Sequence, residues 1–256
     1  MKYSDEKDMQ NFKKVNTSSW DDLKDNLFVR LINERYLSQY GDDIAHVKMM
    51  DLVMVFSVQE KIKDTMLSYL LTNEDLKNMN VEPHTAMTFA MYNSSNDRKR
   101  RIMTFKESTL KNNLMYPVLQ IPKGMMMGAG GHSMADCGII QDTDEEQECD
   151  NILILCNKHD TFGASYMVLP SILDEVYTRF NEENFYIIPL SIHQVMCVRS
   201  GYASRNGEKP RYEVEDDLLD MIEAFNDTNN KSWKNILSYK IYYYYGDDGK
   251  KLFLIK

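Results

Sequence analysis

Cysteine is scarce, four residues in a chain of 256, and Cys137, Cys149, Cys156 and Cys197 form no CxxC and no close pairs. A disulfide framework is therefore not expected in a chain this long, and the four are read as free thiols. Six prolines and eleven glycines are too few for a collagen-like or low-complexity chain. No apolar run approaches the roughly 20 residues that a membrane-crossing helix requires; the densest, Leu52–Phe56 and Ile152–Cys156, are short. The first residues, Met1–Met9, are too polar for the apolar stretch of a secretory signal. A protein kept in the cytoplasm, without a membrane partner, is expected.

Positive charge is also in short supply. Thirty Lys and Arg stand against 39 Asp and Glu, a formal charge of −9. A dominant attraction to phosphate backbones is not expected from that balance, so nucleic acid is an unfavoured partner. What the chain does have is an ordinary globular composition, 43% apolar and 11% aromatic, with residues to fill a core.

Residues 1–18 carry no sustained period and read as a polar tail. Ser19 with Asp22 resembles a capping box opening a short helix at Trp20. Strands are expected at Leu27–Ile32, at Val47–Val58 as one fully buried strand, and at Thr65–Leu71. Asn73 is the expected cap of the next helix, and Pro83 suits the first turn of another that carries Ala86, Phe89 and Ala90 on one side. Lys99–Phe105 reads as a strand, with a short helix from Ser108.

Between Asn112 and Asp150 no period would bury a face, and a long mobile loop is expected there. Beyond it, Asn151–Asn157 and Phe162–Leu169 read as a hairpin. A helix from Pro170 places Ile172, Leu173, Val176, Tyr177 and Phe180 on one face. Tyr186–Ile188 and Val195–Val198 are strands broken at Pro189. Val214, Leu218, Met221, Ile222 and Phe225 make a helical stripe, and Leu237–Tyr245 with Leu252–Ile255 forms a closing hairpin. Neighbouring strands with helices falling irregularly between them predict an α+β fold, mainly antiparallel sheet with flanking helices, as a single domain over 19–256 interrupted by the 112–150 loop.

Several segments resemble one family. Phe28–Asn33, Met50–Phe56, Leu155–Lys158 with Gly163-Ala164 and Leu169-Pro170, and above all Tyr186–Val195, are similar to a family of uncharacterised proteins of anaerobic Gram-positive bacteria. In that family a segment reads approximately Tyr-Ile-Leu-Pro-Ser-Ser-Val-His-Glu-Val. The tyrosine-rich end, Leu237–Tyr245, resembles the family's terminal strand. The resemblance spans residues 19–110 and 151–256 and implies no activity. Two departures stand out: Gln194 replaces the Glu that follows the His, and the 112–150 stretch has no counterpart in the resemblance.

Candidate chemistry is sparse. Ser191 and His193 are the candidate nucleophile and base, but they sit two apart and lack a third group to orient the imidazole, and Gln194 is no base. Lys123–Gly131 is Gly-rich yet lacks the GK[ST] ending of a phosphate loop. The acidic alternation from Asp142 to Asp150 has no EF-hand glycine or terminal Glu. Cys156 and His159 have a C-x2-H spacing without a second ligand pair, so no metal and no cofactor is expected. Arg98, Lys99, Arg100 and Arg101 form a compact basic run, a candidate binding site for an acidic partner or, with the tyrosines 242–245, for nucleic acid. The leading expectation is a non-catalytic interaction or regulatory protein with a protein partner. The alternative is a hydrolase centred on His193. Less favoured is a nucleic-acid-acting protein with acids near Asp51 and Asp75-x-Lys77.

Overall fold

The computed structural model describes residues 19–62, 65–104, 107, 151–158, 162–229, 235–247 and 249–255. The expected tail, the helix from Ser108 and the 112–150 loop lie outside the described residues. The rest is α+β with wholly antiparallel sheets, divided into two compact units at Asp97/Arg98.

The first unit opens with α1 (Trp20–Leu23), where the Ser19 hydroxyl accepts from the Asp22 amide and donates to its carboxylate. Its sheet is built around β3 (Leu52–Ile62). Along one edge lies β1 (Leu27–Asn33); along the other, β2 (His46–Met49) and β4 (Thr65–Leu70) follow end to end. The expected single strand over Val47–Val58 is thus a tight hairpin of β2 and β3. Met50 takes a left-handed conformation (φ 56°) at the reversal, and β2 is largely exposed whereas β3 is buried from Leu52 to Val58. No Gly, Pro or Asn marks that turn, and Asp51 is its only turn-forming residue between the apolar residues Met49-Met50 and Leu52–Phe56, which is why it reads as one strand.

The register puts Leu27, Val29 and Leu31 on the same face as Val58, Phe56 and Met54, and Ile32 with Val53 and Val55 on the other. Leu37 and Tyr40, in and after the 3-10 helix Glu34–Gln39, pack with Ile44 on the second face. The first is left for α3 (Pro83–Ser95), which buries Ala86, Ala90 and Ser94. Helix α2 (Asn73–Asn78) is capped by Thr72 in a capping box with Asp75, one residue before the expected Asn73. The Thr72 hydroxyl accepts from the Asp75 amide and the Asp75 carboxylate accepts in return from the Thr72 amide, the reciprocal pair that Asn73 has no acidic partner three residues on to make.

In the second unit six strands run in the order β10-β9-β7-β8-β6-β5: β5 (Arg100–Thr104), β6 (Ile152–Asn157), β7 (Phe185–Pro189), β8 (Val195–Arg199), β9 (Tyr242–Tyr245) and β10 (Lys251–Leu254). Helices α4 (Pro170–Arg179), α5 (Ser200–Ala203) and α6 (Arg211–Asn229) flank it. The stripe Val214, Leu218, Met221, Ile222 and Phe225 of α6 packs on Ile154, Tyr186, Ile188 and Met196. The residues between these point to the opposite face. There Phe180 after α4 meets Phe185, which in turn meets Tyr244, at ring separations of 5.5 and 5.0 Å.

Phe162–Leu169 is not a strand. Gly163–Val168 forms a buried 3-10 helix after a left-handed Phe162, and β6 pairs instead with β5 and β8. The reason is a close approach at Gly163. A Cβ there would lie 2.6 Å from the carbonyl oxygen of His193, 2.7 Å from Cα of Cys156 and 2.8 Å from the amide of Asn157, all backbone. Only glycine lets the coiled segment sit on the end of β6.

The β9–β10 turn is tied to α4 by polar groups. Asp174 accepts from Tyr244 (2.6 Å) and from Lys250 (2.7 Å), Tyr177 donates to Asp247, and Asn184 accepts from the Gly246 amide (2.9 Å). The hydrogen bond to Asp247 chiefly pushes the Tyr177 phenol up to about 12. Burial works to raise the Asp174 pKa, but the hydrogen bonds from Lys250 and Tyr244 outweigh it and hold the carboxyl below its ordinary value.

Two outcomes follow from this packing. Gly163→Ala loses about 2–3 kcal/mol in equilibrium denaturation, because the atoms it meets are backbone and cannot rotate away. A carboxyl lowered by folding stabilises above its unfolded pKa and ceases to do so as pH falls through the folded one. Asp174→Asn therefore lowers the melting midpoint at pH 7, and its difference from the parent shrinks as pH drops below about 4 in a series of thermal melts.

Candidate functional site: an arginine groove on an edge strand

The basic run Arg98–Arg101 leads into β5, and a strand's alternation divides it. Arg100 points to the α4 side of the sheet, and Arg101, opposite Cys156, to the other. Lys99 holds the strand's start through its carbonyl, which accepts from Lys158 at 2.6 Å, and Arg98 is exposed. The four residues thus do not make one patch.

Arg100 meets a partner that its sequence position does not indicate. Its Nη2 lies 3.0 Å from Glu175 Oε2, and Arg179 Nη2 lies 3.0 Å from the other oxygen, Glu175 Oε1. Glu175 and Arg179 stand one turn apart on α4, an i,i+4 pair readable from the helix period, with Arg179 in the last turn where a cation suits the helix dipole. Nothing in linear spacing joins that pair to β5; the antiparallel sheet does so.

A depression of about 330 Å³ opens here, lined by Arg100, Arg101, Ile102 and Met103 of β5, by Glu107, and by Glu175 and Arg179 of α4. On the α4 side Arg100 and Arg179 stand against Glu175 and Glu107, a balanced set on a chain that carries −9. Arg100, Glu175 and Arg179 keep a third to nearly half of their side-chain surface in water, so their ion pairs contribute only about 0.2–1 kcal/mol each. Such pairs exchange partners at little cost. Guanidinium groups hold carboxylate or phosphate oxygens through paired N–H donors, and their high pKa rules them out as general acids or bases.

The second candidate, the turn after β7, is built differently. Pro189 closes β7 beyond the part that β9 covers, and the amides of Leu190 and Ser191 both donate to the Gln194 carbonyl at 3.1 Å. Ser191 Oγ accepts from the backbone amide of His193 (3.1 Å), and His193 Nδ1 accepts from the backbone amide of Phe162 (3.1 Å). The hydroxyl and the imidazole thus each accept a hydrogen bond from a backbone amide. Gln194 is 4% exposed and its Nε2 has no hydrogen-bond partner.

The remaining candidates are spread through the fold. Asp75 accepts from the amide and hydroxyl of Thr72 at 3.0 and 2.6 Å, so its carboxylate caps α2. Cys156 and Cys197 are buried, and burial pushes the Cys197 thiol up, away from a reactive thiolate. His159 and the stretches 123–131 and 142–150 lie outside the described residues. Tyr242, Tyr243 and Tyr244 are buried, with Tyr243 meeting Tyr186 edge to face at a ring separation of 4.7 Å, so they are packed in core rather than offered to bases. Among the described residues no three His, Cys, Asp or Glu side chains gather as a metal site, and no helix is long and apolar enough to cross a membrane.

Fold and site together define an α+β protein of two antiparallel sheets, with an arginine-lined groove beside an edge strand. The chain belongs to a family of unknown function, DUF5688, which matches residues 1–245. That match takes in residues 1–18 and 111–150, which the resemblance of short segments leaves out, and ends before β10. No curated protein matches the chain, and neither does any solved structure.

The hydrogen bonds at the β7–β8 turn make His193 a support for a part-buried loop. His193→Ala lowers stability by about 1–2 kcal/mol in urea denaturation, the effect of leaving the Phe162 amide unpartnered. An unchanged midpoint would remove that structural role.

Proposed function

We propose that this is a non-catalytic interaction protein that takes an acidic segment of a partner protein in the arginine groove. The observation that carries the reading is Glu175, whose two oxygens are each held at 3.0 Å by a different guanidinium. The groove already grips a carboxylate, and a partner's Asp or Glu meets the same donors. Charge-assisted N–H···O bonds of this kind are the stronger class, and they gain when a partner excludes water from them.

Two guanidinium groups side by side also distinguish this groove from the acidic remainder of the chain. In this reading the protein works in the cytosol of an anaerobic Gram-positive bacterium, a setting supported by the family resemblance around Tyr186–Val195.

The test is a fluorescence-anisotropy titration with a labelled hexaglutamate peptide. Binding is expected to weaken steeply between low and physiological salt and to drop about tenfold or more in Arg100→Ala/Arg179→Ala, with the melting temperature of that variant within a few degrees of the parent. Equal binding by the variant, or no binding at low salt, would overturn the reading. Tighter binding of single-stranded DNA at the same residues would replace it with a nucleic-acid function.

A further inference from the structure

The outer edge of β5 carries a second kind of information. Lys158 N–H donates to Lys99 O, and these residues are opposite each other in the β5–β6 register, so Lys99 occupies a hydrogen-bonded position. In an antiparallel ladder such positions alternate, which turns the backbone of Arg101 and Met103 toward β6 and that of Arg100, Ile102 and Thr104 outward. Two of these outward groups are served by side chains. The Ile102 carbonyl accepts from Arg179 Nη1 (3.1 Å), and the Thr104 amide donates to Glu107 Oε2 (3.0 Å). Side-chain capping is how a sheet edge avoids pairing with whatever strand it meets.

The caps and the groove are the same residues. Arg179 and Glu107 both line the depression, with Arg100 beside them on the α4 side. We infer that the acidic segment is taken as an added β-strand along β5, its backbone replacing Arg179 at the Ile102 carbonyl and its carboxylates pairing with the arginines. This rests on the reading above and specifies how the segment is held. The step exchanges like for like: an incoming amide N–H takes over the carbonyl that Arg179 served, and the freed guanidinium meets an incoming carboxylate. The Ile102 N–H, which points outward, donates to the new strand. Main-chain hydrogen bonds then supply affinity, and alternate side chains supply selectivity. A neutral strand would displace Arg179 Nη1 from the Ile102 carbonyl without offering that nitrogen a new acceptor, so the caps favour acidic segments over others.

The probe is the peptide acetyl-Glu-Val-Glu-Val-Glu-Val-amide, in which glutamates fall on one face of an extended strand. Two derivatives carry backbone N-methyl groups on alternate amides, one on each set. Strand addition predicts that one derivative binds like the parent peptide and the other about tenfold or more weaker, since only one edge of the guest faces β5. Ile102→Pro removes an outward N–H without touching the bonds to β6, and is expected to weaken the parent peptide by a similar factor. Its cooperative thermal transition confirms that the sheet persists. In hydrogen exchange the Ile102 amide slows when the peptide binds. Should both methylated peptides bind as the parent does, the strand mode is wrong while recognition of charge stands. Should no peptide bind at all, both fail together.

Discussion

Strands β7 and β8 lie in the middle of a sheet covered on both faces, and from Phe185 to Val198 every residue except His193 is buried. A hairpin enclosed in this way has to satisfy its backbone without water, because an unpartnered buried amide costs about 1–3 kcal/mol. The turn does so by borrowing from three other places. Ile192 donates to the Asn235 carbonyl at 2.9 Å and accepts from Ala164 at 3.4 Å, while His193 accepts from Phe162. The 3-10 helix, the segment before β9 and the β7–β8 turn are thereby held as one piece, with Gly163 as the residue whose small size permits their approach.

That constraint also separates architecture from interaction in this unit. The Ser191–His193 turn has the residue types of a catalytic pair, yet its hydrogen bonds are spent on holding the loop. The edge strand β5 sits at the opposite extreme. Its ion pairs are half-exposed and interchangeable, and its outward backbone groups are met by side chains that can move. Weakly held partners at an edge suit recognition for the same reason that tightly held ones at the centre suit stability.

Much of the fold was legible in the residues. The Ser19 cap, the stripes of α3, α4 and α6, and the strands β1, β4, β5, β6, β7, β8 and the closing hairpin follow from period, capping and turn residues, which act over a few positions. Two misreadings have local causes. The β2–β3 reversal passes through Met50 and Asp51, where Asp51 is the one turn-forming residue and the left-handed position falls on a methionine, so the apolar residues on both sides concealed it. The coil at Gly163–Val168 is as apolar as a strand, and its shape is imposed by what it packs against.

What the sequence by itself determined was the α+β class, the helical faces and the position of the basic run, because each depends on neighbours within one or two turns. The tertiary structure decided the rest: the division into two sheets, the pairing of β6 with β5 and β8, and the meeting of Arg100 with Glu175 and Arg179 some 75 positions away. Strand order is set by which faces can be buried together across the whole chain, a condition that no short window of residues contains. The groove exists only once that order is fixed.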